Sequence, residues 1–595
     1  MKLSKLYCNM PDTFAPVNFV DGLNVVLAEI RLPENRKKDT HNLGKTIFGI
    51  LIDFCLLAGR DKNYFLFKHF NLFEKFVFFI EIELLDETFV TIRRSVEDSS
   101  TISFKRHKES RQNFTKLADA EWDHFNVPFE RARSLLDGLL DLRALKPWSY
   151  RKGLGYLLRS QDDFRDVFQL RKFQAAHSDW KPYLAHILGF RDEIIQEHYR
   201  KEDDLAKMQQ TAQTLEAELR GSIADLSKIE GMLLLKQKEV GKKQELLDAF
   251  DFRAQDKRKT KQLVEEIDAR ISHLNSERYY LNQNKKKIDA ALEEEQILFD
   301  PDEAERLFKE SGVFFEGQIK RDFQQLIAFN RAITVERRAY LGDERNEIDA
   351  EIKKINSELN DLGKRHSEIL SFVSSADSFK KYKQFSNEIV NLKADITFLE
   401  RQRVYLQRLQ ELRKRIRAAE DEIIRLQALI EEDVEKQNST QDSLFSCIRL
   451  FFSEIIEEVI DRKALLTVSP NKEGHLDFKV DILDESGNAS SAGHGHTYQK
   501  LLCIAFDMAI TRAHSKDRFP HFLFHDGVFE SLDNRKKVTL LDVIRRYSDY
   551  GIQHIITLID SDLPKPATST FDDTEIILRL HDENDQGRLF KMRSW

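Results

Sequence analysis

The sequence predicts a mixed α/β unit that is assembled from both chain ends and interrupted by a long antiparallel coiled coil. Of the 595 residues, 33% are charged, above the roughly 25% typical of soluble domains, whereas the chain has only 22 glycines and 11 prolines. Pro301 is the one proline between Pro182 and Pro470. Charge excess with few helix breakers indicates long helices in the middle of the chain.

The middle of the chain also carries heptads. Apolar residues recur there at alternating spacings of three and four, a period that favours a left-handed coiled coil. They are Leu205, Met208, Ala212, Leu215 and Leu219, then Ile348, Ile352, Ile355, Leu359 and Leu362, then Leu409, Leu412, Ile416, Ala419, Ile423, Leu426 and Ile430. A globular bundle of ordinary amphipathic helices is the alternative interpretation.

Two interruptions divide the helical region. Residues 296–330 contain Pro301 and two glycines, so the chain is expected to reverse there, and residues 371–386 are expected to form an elbow. The predicted organisation is an N-terminal lobe, an ascending arm, a tip, a descending arm and a C-terminal lobe. Their predicted ranges are 1–190, 191–295, 296–330, 331–440 and 441–595.

Strand-like segments occupy both ends of the chain. Residues 76–84, 88–95 and 101–105 alternate apolar and polar side chains, as half-buried antiparallel strands do. In contrast, FLF and IITLI near the C-terminus are continuous apolar runs, typical of strands buried on both faces. Both lobes are therefore predicted to be α/β.

Composition points to a cytoplasmic protein that does not cross a membrane. The cysteines Cys8, Cys55, Cys447 and Cys503 form no CxxC pair, which suits a reducing compartment without a disulfide framework or a structural zinc site. The most apolar stretch, residues 46–58, is too short to span a bilayer. A net charge of −8 also shows no global basic field for nucleic acid.

A candidate phosphate loop follows the strand-like segment LNVVLAEI. Residues 39–46 read DTHNLGKT, in which Gly44, Lys45 and Thr46 fit the GxxxxGK[ST] pattern and Asp39 stands where the first glycine belongs. The helix that follows would offer its N-terminal amides to phosphate. Lys45 would neutralise the β and γ phosphates, Thr46 would hold Mg²⁺, and Asn42 belongs to the same loop.

A second candidate element is the segment FLFHDGVFESLD, residues 522–533. An apolar strand ends at Asp526, an acid suited to Mg²⁺, and Gly527 follows it. Glu530 is the nearest further acid and is the candidate base. The alternative register puts His525 at the metal and makes Asp526 the base.

Two further segments complete the set. Residues 490–500, SSAGHGHTYQK, place Ser491 and Gly493 in a glycine-containing loop before an apolar helix. Gln161 lies between the antiparallel strands and the coiled coil, and Asp533 lies seven residues after Asp526.

The order of these pieces resembles the SMC-like ABC ATPases, the group containing SMC proteins, RecN and the double-strand-break repair ATPases. The segments HNLGKT, HDGVFESLD and GHGHTYQKLL look closest to a bacterial subfamily with a C-terminal domain of unknown function, similar to ATPase components of multi-gene antiphage systems. The resemblance implies an ABC-type ATPase head that binds ATP and Mg²⁺.

The resemblance also implies roles for individual residues. Gln161 would contact Mg²⁺ and the attacking water, Ser491 and Gly493 would form the signature that contacts the γ-phosphate of the opposite subunit, and Asp533 would lie in a dimer-contacting loop. Two positions depart from the pattern, since Gly527 replaces the catalytic glutamate and Asp560 and Ser561 stand where a switch histidine belongs.

The resemblance implies a homodimer that closes through its heads around ATP, with DNA and defence-system subunits, including an effector such as a nuclease, as partners. Two alternatives stay open. One is a nucleotide-binding coiled-coil scaffold with little or no hydrolysis, and the other is a DNA repair or chromosome-maintenance ATPase.

Overall fold

The structure is a computed structural model of the chain. It describes residues 1–32, 34, 43–171, 176–218, 225–248, 257–293, 317–371, 376–484, 486–489, 496–530, 532–564 and 571–593.

The described strands are β1 Lys2–Cys8, β2 Val17–Asn18, β3 Leu23–Glu29, β4 Val77–Glu83, β5 Phe89–Ser95, β6 Thr101–His107, β7 His124–Pro128, β8 Leu158–Arg159, β9 Ala464–Pro470, β10 Leu476–Ile482, β11 Phe522–Asp526, β12 Gln553–Ile559 and β13 Ile576–His581. The described α-helices are α1 Lys45–Cys55, α2 Phe65–Lys68, α3 Phe70–Phe73, α4 Phe129–Leu140, α5 Tyr150–Leu157, α6 His177–Ile187, α7 Asp192–Glu218, α8 Leu226–Asp248, α9 Lys257–Glu293, α10 Gly317–Ser371, α11 Ala376–Ser439, α12 Leu444–Ile460, α13 His496–Ala513 and α14 Asn534–Tyr547.

A five-stranded parallel sheet draws its strands from both ends of the chain. Its order is β13-β3-β12-β11-β8, so the N-terminal strand β3 lies between two C-terminal strands. All residues of β11 and most of β12 are buried, as their continuous apolar sequences predict. The predicted α/β unit assembled from both ends is confirmed.

A six-stranded antiparallel sheet is built from the N-terminal part, in the order β2-β1-β4-β5-β6-β7. Helix α1 contacts β4 and β5 of this sheet and β11 and β12 of the parallel sheet, and therefore lies between the two. Its apolar sequence satisfies that position, with Phe48, Leu51, Ile52 and Phe54 buried. The buried guanidinium of Arg94 donates to the carbonyls of Phe54 and Ala58 near the end of α1.

The chain divides into two compact units, a head unit of Met1–Asp204 with Ala419–Trp595 and a coil unit of Leu205–Ala418. In the coil unit the heptad leucines and isoleucines form small apolar clusters between helices. Ala212 and Leu215 pack with Leu409 and Leu412, whereas Leu281 packs in a cluster with Ile348 and Ile355. Residues later in the first arm, such as Leu281, pack with residues earlier in the second arm, such as Ile348. The two arms therefore run antiparallel, as predicted.

The roots of the two arms meet inside the head unit. The backbone N–H of Arg191 donates to the carboxylate of Asp433 at 2.8 Å. Ile194 and Ile195 belong to the same apolar core as Ile430 and Val434. Residues near 190 and 440 are therefore brought together, as the folded-back arms require.

The predicted tip, 296–330, falls largely outside the described residues, whereas most of the predicted elbow, 371–386, falls inside them. Residues 294–316 and 372–375 are not among them, and the helices on either side of the second gap end at Ser371 and begin at Ala376. Among the helices that the structure does describe, none combines the length and the apolar character needed to cross a membrane.

The antiparallel pairing of the arms is open to crosslinking. Arg413 donates to Glu216 across the helices at 2.7 Å, whereas Asp349 pairs with Lys285 at another level of the coil unit. In a chain whose partly exposed Cys447 is replaced by serine, E216C with R413C should crosslink within one chain under a short bis-maleimide. The matched pair E216C with D349C should not. Crosslinks of the first pair found only between chains on a denaturing gel would contradict the hairpin.

Candidate functional site

The candidate phosphate loop ends at the start of α1. Gly44 precedes the helix with φ +102°, and a Cβ built there would lie 2.6 Å from the Cβ of Leu589, so the position requires glycine. Lys45 and Thr46 are the first two residues of α1, where unpaired backbone N–H groups favour an anion. Asp39 and Asn42 lie outside the described residues.

The acidic strand β11 brings Asp526 to Thr46. The Asp526 carboxylate is fully buried and accepts a hydrogen bond from the Thr46 hydroxyl at 2.7 Å. It accepts a second, short bond from the hydroxyl of Thr557 on the neighbouring strand β12. The side chain of His525 lies in a separate buried network, so the structure places Asp526 rather than His525 beside Thr46.

Glu530 is held at the same site by two side chains. Its carboxylate accepts hydrogen bonds from the Gln161 amide at 2.9 Å and from the Lys500 ammonium at 2.5 Å. Lys500 also donates to the carbonyl of Gly527 at 3.0 Å. The acid, the glutamine and the phosphate-loop residues predicted from separate parts of the sequence therefore converge.

Gly527 leaves room for the Glu530 carboxylate. Its φ is +68°, and a Cβ built on it would lie 2.4 Å from a carboxylate oxygen of Glu530. Such a separation is far below van der Waals contact, so any larger residue at 527 would push Glu530 away. The glycine that interrupts the expected motif is thus the reason that Glu530 can occupy this space.

The electrostatics of the site combine two half-buried ammonium groups, of Lys45 and Lys500, with several carboxylates. Burial lowers the pKa of the Lys45 ammonium, whereas the nearby carboxylates of Asp526 and Glu530 act in the opposite direction. Burial raises the pKa of Asp562, a further acid close to Lys45. A polyphosphate with a divalent cation would match this arrangement, because Lys45 can pair with phosphate and Asp526 with the metal.

Sequence reasoning missed three residues of this site, Lys500, Thr557 and Asp562. Lys500 lies one turn into α13, directly after the glycine-containing loop, and that position is the signal that could have identified it. Thr557 interrupts the apolar run IITLI, where a buried hydroxyl needs a partner. Asp562 has no distinguishing pattern in the sequence.

Other predicted residues lie elsewhere or outside the described part of the chain. Ser491 and Gly493 are not among the described residues. Asp533 caps α14, because its carboxylate accepts from the backbone N–H of Lys536 at 3.0 Å and pairs with that lysine's ammonium at 2.7 Å.

A buried polar network lies next to the residues of the candidate site. Arg159 and Asp507 form a fully buried ion pair at 2.7 Å, and Asp507 also bonds His525, which bonds His554 at 2.7 Å. Burial alone would lower the pKa of Arg159, but the Asp507 carboxylate outweighs it and raises that pKa. Burial lowers the pKa of both His525 and His554 and so favours their neutral forms.

This network connects the strand that ends at Asp526 with the segment that leads to Gln161. Arg159 is two residues before Gln161 and donates to the carbonyls of Asp163 and Val167. His525 directly precedes Asp526. The ion pair therefore fixes two parts of the site relative to α13, which carries Asp507.

Removing one partner of the buried ion pair should destabilise the head strongly. D507A leaves the Arg159 charge buried without its counter-ion, and the free energy of unfolding should fall by about 3–5 kcal/mol. The exposed D542A on α14 should change it by less than about 0.5 kcal/mol. Urea unfolding followed by circular dichroism measures the free energy of unfolding of both variants. Equal losses in D507A and D542A would contradict a large contribution of the Arg159–Asp507 ion pair to stability.

Comparisons with known proteins returned one family and several solved structures. Residues 455–594 match the family described as "Uncharacterised protein conserved in bacteria (DUF2326)". No curated protein matches the chain. An Smc head domain with a coiled coil and joint from Pyrococcus yayanosii is 14% identical, covering 94% of this chain and 92% of that one, with a TM-score of 0.33.

A second Smc head domain, from Pyrococcus furiosus and bound to the C-terminal domain of ScpA, is 11% identical over 94% of this chain and 90% of that one, with a TM-score of 0.31. The SMC head domain from Thermotoga maritima is 14% identical over 24% of this chain and 45% of that one, with a TM-score of 0.16. The family match confirms the predicted resemblance of the C-terminal segment to bacterial proteins with a domain of unknown function.

Proposed function

We propose that the head unit binds ATP with Mg²⁺ and hydrolyses it slowly. The observation that carries this proposal is the convergence of Lys45 and Thr46, from the start of the chain, with Asp526 and Glu530, from its end. Gln161 reaches the same place. These residues belong to separate sequence motifs, and their meeting supports a single nucleotide site.

Thr46 and Asp526 would hold the magnesium ion. Both offer oxygen ligands, which this hard cation prefers, and their oxygens lie 2.7 Å apart. The ion, when bound, would neutralise charge on the phosphates. Lys45 would contribute the remaining positive charge to the β and γ phosphates, and the N-terminal amides of α1 would orient them.

Glu530 is proposed as the general base. The attacking water would transfer a proton to the Glu530 carboxylate while its oxygen bonds to the γ-phosphorus and the bond to the leaving ADP oxygen breaks. The space above Gly527 lets Glu530 approach from four residues beyond Asp526. Gln161 would orient the water, since its amide already lies against that carboxylate.

The Lys500 contact explains why turnover should be slow. The Glu530 carboxylate is bonded to the Lys500 ammonium at 2.5 Å, so Glu530 must leave Lys500 before it can accept a proton. The same contact favours the second candidate function, a nucleotide-binding scaffold with little or no hydrolysis, in which Glu530 stays paired.

Head dimerisation is the proposed use of the nucleotide. Two heads would enclose two ATP molecules, with Ser491 and Gly493 of one head against the γ-phosphate of the other and Asp533 near the contact. ATP bound by both heads would contribute binding energy only in the closed state and so shift the population toward it. The coiled coil would report this closure to a partner.

The partners are proposed from the sequence resemblance. We propose that the protein binds DNA. Its protein partners are proposed to be defence-system subunits that include an effector such as a nuclease. The proposed location is the bacterial cytoplasm. A DNA repair or chromosome-maintenance role is the alternative. All four cysteines are free, and Cys8, Cys55 and Cys503 are buried, which supports a reducing compartment.

Lys45 provides the first test. K45A removes the half-buried charge that would face the phosphates and should weaken ATP binding by about 3 kcal/mol, roughly a hundredfold. K62A, which removes an exposed lysine from the loop after α1, is the matched control and should bind as the unchanged protein does. Calorimetric titration with ATP and Mg²⁺ measures both, and unaltered affinity in K45A would remove the phosphate-loop assignment.

Glu530 and Gly527 provide the second test. E530Q should keep ATP affinity and lower kcat by about 10²–10⁴-fold, because the base is lost. G527A should lower kcat as well, since its Cβ displaces Glu530, whereas G138A, at an open position on α4, should not. Steady-state phosphate release measures turnover in each variant.

The pattern of results separates the two candidate functions. Unchanged turnover in E530Q would exclude Glu530 from the mechanism. Negligible turnover in the unchanged protein, with intact ATP binding and ATP-dependent dimerisation, would select the scaffold.

A further inference from the structure

Two histidines and a glutamate form a compact cluster in the head unit, away from the residues assigned to the nucleotide. His198 and Glu202 are one turn apart on α7 and therefore lie on one face of that helix. His475 stands at the end of the turn between β9 and β10. The ligand atoms of these three residues all lie within 4.8 Å of one another.

The distances within the cluster are close to those between ligands that share one metal ion. Glu202 Oε2 lies 3.4 Å from His475 Nε2 and 3.8 Å from His198 Nδ1. Ligands at about 2.0–2.2 Å from a tetrahedral zinc ion are separated by about 3.3–3.6 Å. Glu473 Oε2 is 3.9 Å from the same nitrogen of His475, so a fourth ligand is at hand.

Among the described residues, both ring nitrogens of His198 and one of His475 have no hydrogen-bond partner. The His198 side chain is 1% exposed, and within the described part of the chain neither of its ring nitrogens has a hydrogen-bond partner. The Nδ1 atom of His475 is likewise buried without one. Buried polar atoms are normally satisfied, and each exception calls for an explanation such as an ion.

The turn that carries His475 is built to hold it in place. The side-chain oxygen of Asn471 accepts a hydrogen bond from the backbone N–H of His475 at 3.0 Å. The backbone N–H of Asn471 donates to the carbonyl of His475 at 2.8 Å. Gly474 adopts φ +80°, and a Cβ there would lie 2.4 Å from Gln427. The ring of Tyr199 stacks on the His475 imidazole with centroids 4.6 Å apart.

We propose that His198, Glu202 and His475 bind a zinc ion, with Glu473 or water as the fourth ligand. Two imidazoles and a carboxylate are ligands that zinc accepts, and the borderline nitrogen donors disfavour Mg²⁺ and Ca²⁺. The ion would link the first turns of α7 to the β9–β10 hairpin. This zinc site is separate from the proposed nucleotide site, and the two sites share no residue.

Metal binding to the full-length purified chain tests this proposal. After chelation, titration with Co²⁺ should give the intense visible bands of a four-coordinate ion at one equivalent per chain, and Zn²⁺ should displace them. H475A and the isosteric E202Q should each weaken Co²⁺ binding at least about tenfold.

A matched control exists on α9 of the coil unit. His273 and Glu277 have the same spacing and a 3.7 Å contact, but the histidine side chain is 67% exposed. H273A should retain full metal binding, and so should K45A, which separates this proposal from the nucleotide site. Circular dichroism confirms that each variant is folded.

Loss of the bands in H475A and E202Q, with retention in H273A, would support the site. Absence of a stoichiometric Co²⁺ spectrum in the unchanged protein would overturn the proposal. Equal binding by H475A and the unchanged protein would overturn it too, because the metal would then lie elsewhere.

Discussion

Strand β3 pairs in parallel with β12 on one side and β13 on the other, and the remainder of the head depends on this arrangement. The sheet takes strands from both chain ends, so neither end can complete it alone. The chain between the two ends must leave the head and return to it, and an antiparallel pair of helical arms achieves this. The same pairing brings Thr46, after β3, to Asp526, at the end of β11.

The architecture was largely predictable because it rests on periodicity. The spacings of three and four around Ile348 and Leu409 predict the two helical arms. The apolar runs FLF and IITLI predict buried strands of a parallel sheet. The sequence predicts the reversal at 296–330, and much of this range lies outside the described residues. Such patterns report burial, and burial determines the fold at this level.

The site was predictable only where a residue belongs to a motif. Gly44, Lys45, Thr46 and Asp526 belong to one, and the structure brings the last three together. Lys500 and Asp562 do not, because their roles come from tertiary contacts that no local pattern encodes. The meaning of Gly527 was also hidden: in the sequence it is a missing glutamate, and in the structure it is the space that Glu530 fills.

The position of β3 in the sheet has a consequence for biosynthesis. More than 500 residues separate β3 from β12, so at about 5–20 residues per second the ribosome needs roughly half a minute to two minutes to deliver the neighbours of β3. Throughout that interval the strand presents unpaired edges, the feature by which nascent chains aggregate. The antiparallel sheet, which is complete by Pro128, can form early and shelter one face of α1. A chaperone that holds the N-terminal segment until translation ends would act at this step.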